Sequence, residues 1–244
     1  MRDFDVSSLP ERTGDVHIPD GTTKIVKYDN NSKHRIRSLH IPQSVREIGQ
    51  TAFLNVAIHG ELMFAPCSRL ETIGAYAFSD SIKQHQDIVF PRSVRRFEAS
   101  CFRNCNFTSV EITNEKAIVG FEAFTHCARL TEIIFTDIPK ISNKGYNRQI
   151  YGWTFSHCGA LTRIDATGVK SVGGCAFHGT ERDPVITHAK FVHCINFDYR
   201  AFYSKEIELL ELGARDIHFA PQDFNEDQIT RVSYNLFYSQ DSDN

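Results

Sequence analysis

Three cysteines, Cys105, Cys127 and Cys158, each stand three residues after a phenylalanine, and two of them close the tripeptides Thr125-His126-Cys127 and Ser156-His157-Cys158. Thiol beside imidazole is the raw material of two chemistries. A zinc centre gathers about four nitrogen or sulfur donors on one point. A thiol nucleophile needs a base in hydrogen-bond reach, a third group to orient that base, and donors for the developing oxyanion. The chain has eleven histidines and seven cysteines, so spacing has to decide whether either site is built. No Cys-x-x-Cys pair occurs, and adjacent residues of one turn rarely face one another. The Gly-x-x-x-x-Gly-Lys loop, the Gly-x-Ser-x-Gly elbow and the His-Glu-x-x-His helix are also missing from the sequence. The expectation is a protein without catalytic residues, bound metal or cofactor, in which the cysteines are small buried hydrophobes and the histidines sit at corners or on the surface.

The elements that position these residues recur along the chain. A small residue followed by phenylalanine appears as Ala52-Phe53, Ala77-Phe78, Cys101-Phe102, Ala123-Phe124, Thr154-Phe155, Ala176-Phe177 and Ala201-Phe202, and Phe224 continues the series. Successive phenylalanines are 22 to 25 residues apart except for a gap of 31 between Phe124 and Phe155. Such a period is that of a solenoid, in which one repeat makes one coil and equivalent residues line up about 4.8 Å apart. A line of cysteines is therefore expected rather than a convergent cluster.

Four residues before most of these phenylalanines stands a glycine after an aliphatic residue, as in Ile48-Gly49, Ile73-Gly74, Val119-Gly120 and Val172-Gly173, while Glu98, Tyr151 and Asp198 replace it elsewhere. Glycine there meets a need for positive φ or for close approach of the next coil. Further upstream are apolar triplets, such as Ile36, Leu39, Ile41 and Leu130, Ile133, Phe135, whose last two members are two residues apart. That spacing turns both to one face of a short strand. Val16-His17-Ile18-Pro19 matches the strand ending of Leu39-His40-Ile41-Pro42 and begins the stack.

The composite unit, apolar-x-x-apolar-x-apolar, often Pro, then Val-x-x-Ile-Gly-x-x-Ala-Phe, resembles the BspA-type leucine-rich repeat over roughly residues 16 to 225. The resemblance implies a β-rich repeat solenoid, with a parallel sheet on the concave face and turns, short strands or short helical turns on the convex side. It also implies roles in adhesion or protein binding and brings no catalytic residue. The domain reading is an N-terminal extension over 1–15, one solenoid of eight or nine coils over 16–237, and a polar tail over 238–244.

Charge and composition narrow the partners. With 27 basic and 30 acidic residues the net charge is −3, which gives no basic footprint for nucleic acid. No apolar stretch reaches the length of a membrane helix, and Met1 to Pro10 holds no signal-peptide core, so the expected location is cytoplasmic or otherwise intracellular. Seven cysteines, an odd number, fit a reducing compartment better than a disulfide framework.

Between the two buried positions of each strand one residue points outward. Met63, Val89 and Ile134 are apolar in that row, with Glu61, Asp87, Glu111 and Glu132 beside them. This predicts a surface for another protein carrying an apolar ridge and basic edges. The long spacing before Phe155 is a second candidate, with Tyr146, Arg148, Tyr151 and Trp153 suited to an interface. Tyr151 and Trp153 filling the core where glycine is missing is the other reading. A protein-interaction scaffold is thus expected, with an exported surface adhesin or carbohydrate-binding protein as the alternative.

Overall fold

The computed structural model describes residues 2–29, 34–136, 148–180, 182–213, 218–219 and 228–234. Each repeat makes one coil, and every strand pairing is parallel and runs between neighbouring coils. One ladder has ten short strands, from Asp3–Asp5 through Glu47–Ile48, Arg96–Phe97 and Arg148–Ile150 to His218–Phe219. It is built from the apolar residue before each repeat glycine or its replacement, so Ile48, Ile73, Phe97, Val119, Ile150, Val172 and Phe197 share one file. A second face carries the triplet strands. Val16–His17, Leu39–Ile41 and Leu62–Phe64 form one sheet, and seven strands from Gln86–Phe90 to Ile229–Tyr234 form the next.

A third connection runs through the turns that carry the phenylalanines. In the coil at Phe53, the amides of Thr51, Phe53 and Asn55 donate to the carbonyls of Ala75, Ala77 and Ser79. The next coil repeats this with Tyr76, Phe78 and Asp80. Every second amide can face the following coil because residues two before and two after the phenylalanine are left-handed: Thr51 and Asn55, Tyr76 and Asp80, Ser100 and Asn104, Glu122 and His126, Trp153 and His157. A non-glycine residue pays about 1–2 kcal/mol for that conformation. The inter-coil hydrogen bonds and the stacked rings beside them offset it.

The phenylalanines form a continuous column inside the coils. Ring separations are 4.9 Å for Phe53 and Phe78, 5.1 Å for Phe78 and Phe102, 5.3 Å for Phe102 and Phe124, 5.3 Å for Phe124 and Phe155, 5.5 Å for Phe155 and Phe177, and 4.9 Å for Phe177 and Phe202. All are close to parallel. Phe224 lies outside the described residues.

The repeat glycine has one of the two properties expected of it. None of Gly49, Gly74, Gly120 and Gly173 has positive φ, but a Cβ on Gly120 would stand 2.5 Å from the carbonyl oxygen of Phe97. Close approach of coils, not backbone handedness, is what the position requires. The domain limits also shift. Asp3–Asp5 pairs with Lys24–Val26 and Val6 is fully buried, so residues assigned to an extension belong to the stack. At the other end Ile229–Tyr234 pairs with Ile207–Leu212, whereas the polar tail lies outside the described residues. Among the described residues no helix is long and apolar enough to cross a membrane.

Candidate functional site

The outward row of the triplet strands is set by their alternation. In the first sheet His17, His40 and Met63 are register neighbours. In the second, Val89 pairs with Glu111, Glu111 with Ile134, Ile134 with Asp165, Asp165 with Lys190, and Lys190 with Glu211. Glu111 therefore separates Val89 from Ile134, and Ile134 is half-buried between two carboxylates. Met63 lies on the last strand of the first sheet and Val89 on the first strand of the second.

That junction is a break in the hydrogen-bonded face. The amide of Leu62 donates to the side-chain oxygen of Gln86 at 3.2 Å, where a backbone carbonyl would continue the sheet. Phe64 is left half-buried, and Val89 is 57% exposed, among the most exposed large apolar residues described. A cleft of about 760 Å³ lies on one side, lined in part by His17, His40, Met63, Phe64 and Pro66. A second, of about 460 Å³, lies on the other, against Phe64, Pro66, Val89, Phe90 and Pro91. Pro42 and Pro91 end their strands and form rims, since each removes a donor that would prolong pairing.

The acidic border is not uniform. Glu61 and Asp87 are exposed beside Met63 and Val89. The Thr108 hydroxyl donates to Asp87, and together with Ser109 it holds that carboxyl below its usual range. Glu132 is ion-paired with Arg163 at 3.0 Å, and Glu111 accepts from the Thr136 hydroxyl. Of these four carboxylates, Glu132 is the one for which an ion pair with a cationic side chain is seen.

The second candidate surface divides. Arg148, expected at an interface, is instead fully buried: its guanidinium donates to the carbonyls of Asn114 at 2.9 Å, Thr167 at 2.6 Å and Thr136 at 3.0 Å, and lies 5.6 Å from the Phe135 ring. A group that satisfies three backbone acceptors inside the stack has no surface role. Tyr151 is 46% exposed, so it does not fill the core in place of glycine. Trp153 is half-buried at a left-handed position, 5.3 Å from the His178 ring. Tyr146 lies outside the described residues.

The thiol and imidazole groups of the paired tripeptides point opposite ways. Cys105, Cys127 and Cys158 are fully buried, and their Sγ atoms donate to the carbonyls of Phe78, Phe102 and Phe124 in the preceding coils, at 3.1, 3.3 and 3.3 Å. Ser81 does the same toward Phe53. Burial pushes the Cys105 and Cys158 thiols up to about 12, so they stay protonated and unreactive. His126 is exposed and stacks at 4.6 Å on His157, whose ring is 5.1 Å from His178. No thiol faces its neighbouring imidazole, and the stack is a column like that of the phenylalanines.

One feature of the outward row was missed in the sequence. The His17 and His40 rings stack 4.0 Å apart at 17°. The signal was present in the matching segments Val16-His17-Ile18-Pro19 and Leu39-His40-Ile41-Pro42.

The BspA type leucine rich repeat region matches in six copies, over residues 12–60, 65–180 and 148–241. Among solved structures, a leucine-rich repeat protein from Bacteroides ovatus is 16% identical, with 90% of this chain and 65% of that one covered and a TM-score of 0.49. The pneumococcal vaccine antigen PcpA is 14% identical over 91% of this chain and 71% of that one, with a TM-score of 0.32. A leucine-rich repeat protein from Eubacterium ventriosum is 11% identical over 91% and 83%, with a TM-score of 0.43. This chain thus spans less than two thirds of the Bacteroides ovatus protein. No curated protein matches the sequence. With its repeats matched over most of its length, the chain belongs to the BspA-type leucine-rich-repeat family.

Proposed function

We propose that this chain is a non-catalytic protein-interaction scaffold whose recognition surface is centred on Met63 and Val89. The observation that carries the reading is the interrupted sheet at Gln86, which leaves Phe64, Met63 and Val89 accessible between two clefts. Apolar side chains such as Tyr28, Phe121 and Ile195 are exposed elsewhere too, but here such groups stand beside two clefts, which favours an interaction site. Glu61 and Asp87 border it, and a partner with an apolar ridge and basic edges fits them. Ile134, Glu111 and Glu132 extend the face toward later coils, and Trp153 with Tyr151 forms a separate contact area.

An intracellular location belongs to the same reading, supported by seven cysteines that are all free thiols. The test is recovery of binding partners by cross-linking and mass spectrometry with wild type and with a Met63→Lys, Val89→Lys variant. Selective loss of one partner from the folded variant supports the scaffold, and identical recovery rejects this surface. Fractionation of the native protein separates the scaffold from an exported adhesin, because protein found only at the cell surface would overturn the intracellular reading.

A further inference from the structure

We infer that Arg69, Arg92 and Arg95 receive an acidic segment of the same protein that seats its apolar ridge on Met63 and Val89. The inference rests on that reading for where the rest of the partner lies, and it gives the partner an order. In both coils the chain runs from a carboxylate, Glu61 or Asp87, through the apolar strand to a proline, Pro66 or Pro91, and then to arginine. A partner lying along these strands meets acid first, apolar surface next and base last. Its own matching order is basic, apolar, acidic.

The arginines gather where the strands have ended. A cleft of about 290 Å³ is lined by Arg46, Arg69, Arg92 and Arg95 together with the carboxylates Glu71 and Glu115. Four arginines against two carboxylates leave a surplus of two positive charges, on a chain whose net charge is −3. Arg46 pairs with Glu71 at 2.9 Å, and Arg92 with Glu115 at 3.7 Å. Arg69 and Arg95 are exposed and, among the described residues, have no ion pair. Glu71 lies in file between two arginines, since its amide donates to the Arg46 carbonyl and the Arg95 amide donates to its own. Its carboxylate is taken by Arg46, which leaves Arg95 over. A guanidinium fork in that position matches the carboxylates of aspartate and glutamate.

The floor of the cleft is fixed. The Ser93 hydroxyl donates to the Ser68 carbonyl at 2.9 Å and the Asn114 side-chain amide to the Arg92 carbonyl at 2.6 Å, which ties the loops of three successive coils. Pro66 stands seven residues before Ile73, where Pro42 and Pro91 stand six before Ile48 and Phe97, and Cys67 takes a left-handed φ of 55° in that longer loop. Arg69 there precedes buried Leu70, where serines precede buried Val45 and Val94. The arginines thus project from an ordered backbone, which lowers the cost of docking. Continuity assigns the occupant. Ser68, Arg92 and Ser93 line this cleft and also the 460 Å³ cleft that holds Phe64 and Val89. A polyanion without apolar groups would leave that end uncovered, which favours a polypeptide.

The test is fluorescence anisotropy of the full chain with a dye-labelled peptide that has lysines at one end, a Leu-Phe-Leu centre and glutamates at the other. One control peptide has the same composition with its charges interleaved, and another has glutamine in place of glutamate. The ordered peptide should bind at least about fivefold more tightly than either control, with the larger advantage at low salt. An Arg69→Ala, Arg95→Ala variant should lose that advantage, and circular dichroism checks that it folds, as expected for exposed side chains. Ordered peptide bound as tightly by the arginine variant as by wild type, or glutamine peptide that matches it on wild type, overturns the inference. A Met63→Ser, Val89→Ser variant separates the two readings. If it binds the ordered peptide undiminished while the arginine variant does not, the Met63 and Val89 surface fails and the arginine cleft stands as an acidic docking site on its own. A heparin oligosaccharide that binds where no peptide does would assign the cleft to a sulfated glycan and overturn a protein partner.

Discussion

Replacing Phe102 by alanine removes a fully buried ring from the middle of the aromatic column, where Phe78 lies parallel at 5.1 Å on one side and Phe124 at 5.3 Å on the other. Phe90 and Phe107 also contact it, at 5.2 and 5.4 Å. Truncating a core phenylalanine costs about 3–5 kcal/mol, and each ring pair adds about 0.5–1.5 kcal/mol beyond area burial. Because the truncation figure already contains part of the pair energy, the expectation for Phe102→Ala is near the upper end, about 5 kcal/mol. Phe53 is equally buried but stacks, among the described residues, on Phe78 alone. Phe53 begins the aromatic column, so its loss removes one stacked ring pair where the loss of Phe102 removes two. Phe53→Ala should therefore cost at least about 1 kcal/mol less. Urea unfolding followed by far-ultraviolet circular dichroism and by fluorescence of the single tryptophan, Trp153, measures both and tests whether the two probes coincide. Equal losses for the two variants, or a loss below about 2 kcal/mol for Phe102→Ala, would refute the column as a principal source of coupling.

Cys127→Ser keeps a donor for the Phe102 carbonyl, as Ser81 does for Phe53, whereas Cys127→Ala leaves that bond unmade; the alanine variant should be the less stable by about 1 kcal/mol in the same urea assay. A chromogenic disulfide reagent at neutral pH should label exposed Cys67 rapidly and Cys105, Cys127 and Cys158 only after denaturation. Burial first, then the neighbouring His157 charge, depresses His126 and His178 below 6.5. For these groups the unfolded chain takes up protons first, so their contribution is intact above pH about 6.5 and is lost as pH falls through the lower folded values; thermal melts from pH 7.5 to 5 should show that slope, and a His126→Asn, His178→Asn variant should flatten it. Gly120→Ala places a Cβ 2.5 Å from the Phe97 carbonyl and should lower stability by about 1–3 kcal/mol, with a parallel drop in melting temperature.

What the sequence made legible was whatever recurs once per coil. Period alone places Phe78 over Phe53 and Cys127 beside Cys105, because parallel stacking without offset converts sequence intervals into neighbours. The same logic turned Val110 and Ile112 inward and Glu111 outward. Departures from the period were harder to read. Arg148 follows the long gap, and nothing in its type or position indicated that carbonyls from Asn114, Thr136 and Thr167 would converge on it. The left-handed turn residues were invisible for another reason. Thr51, Tyr76, Glu122 and Trp153 share no side-chain chemistry, and what they have in common is an amide aimed at the next coil. The sheet break at Gln86 was hidden because Leu62, Phe64 and Ile88, Phe90 have the same spacing as continuous strands. Three residues before Leu62 and Ile88, where Ile36 and Leu130 open their triplets with an apolar group, those coils have His59 and His85.

The break also explains why the candidate surface lies toward the first coils. Inward positions are constrained by the columns on either side, so a repeat can vary chiefly in its outward row. In the later coils that face carries ion pairs, Lys190 with Asp165 at 3.3 Å in the row itself and Arg163 with Glu132 at 3.0 Å beside it. Partly exposed pairs of this kind contribute about 0–1 kcal/mol each to stability, but they neutralise the face and leave it well solvated. In the first coils the corresponding residues are His17, His40, Met63 and Val89, which have stacked rings, a thioether and an exposed aliphatic group instead of ion pairs. A continuous sheet there would draw Phe64 and Val89 closer to their neighbours and narrow both clefts. By replacing one backbone acceptor with the side chain of Gln86, the chain holds the two sheets together while keeping that apolar row open.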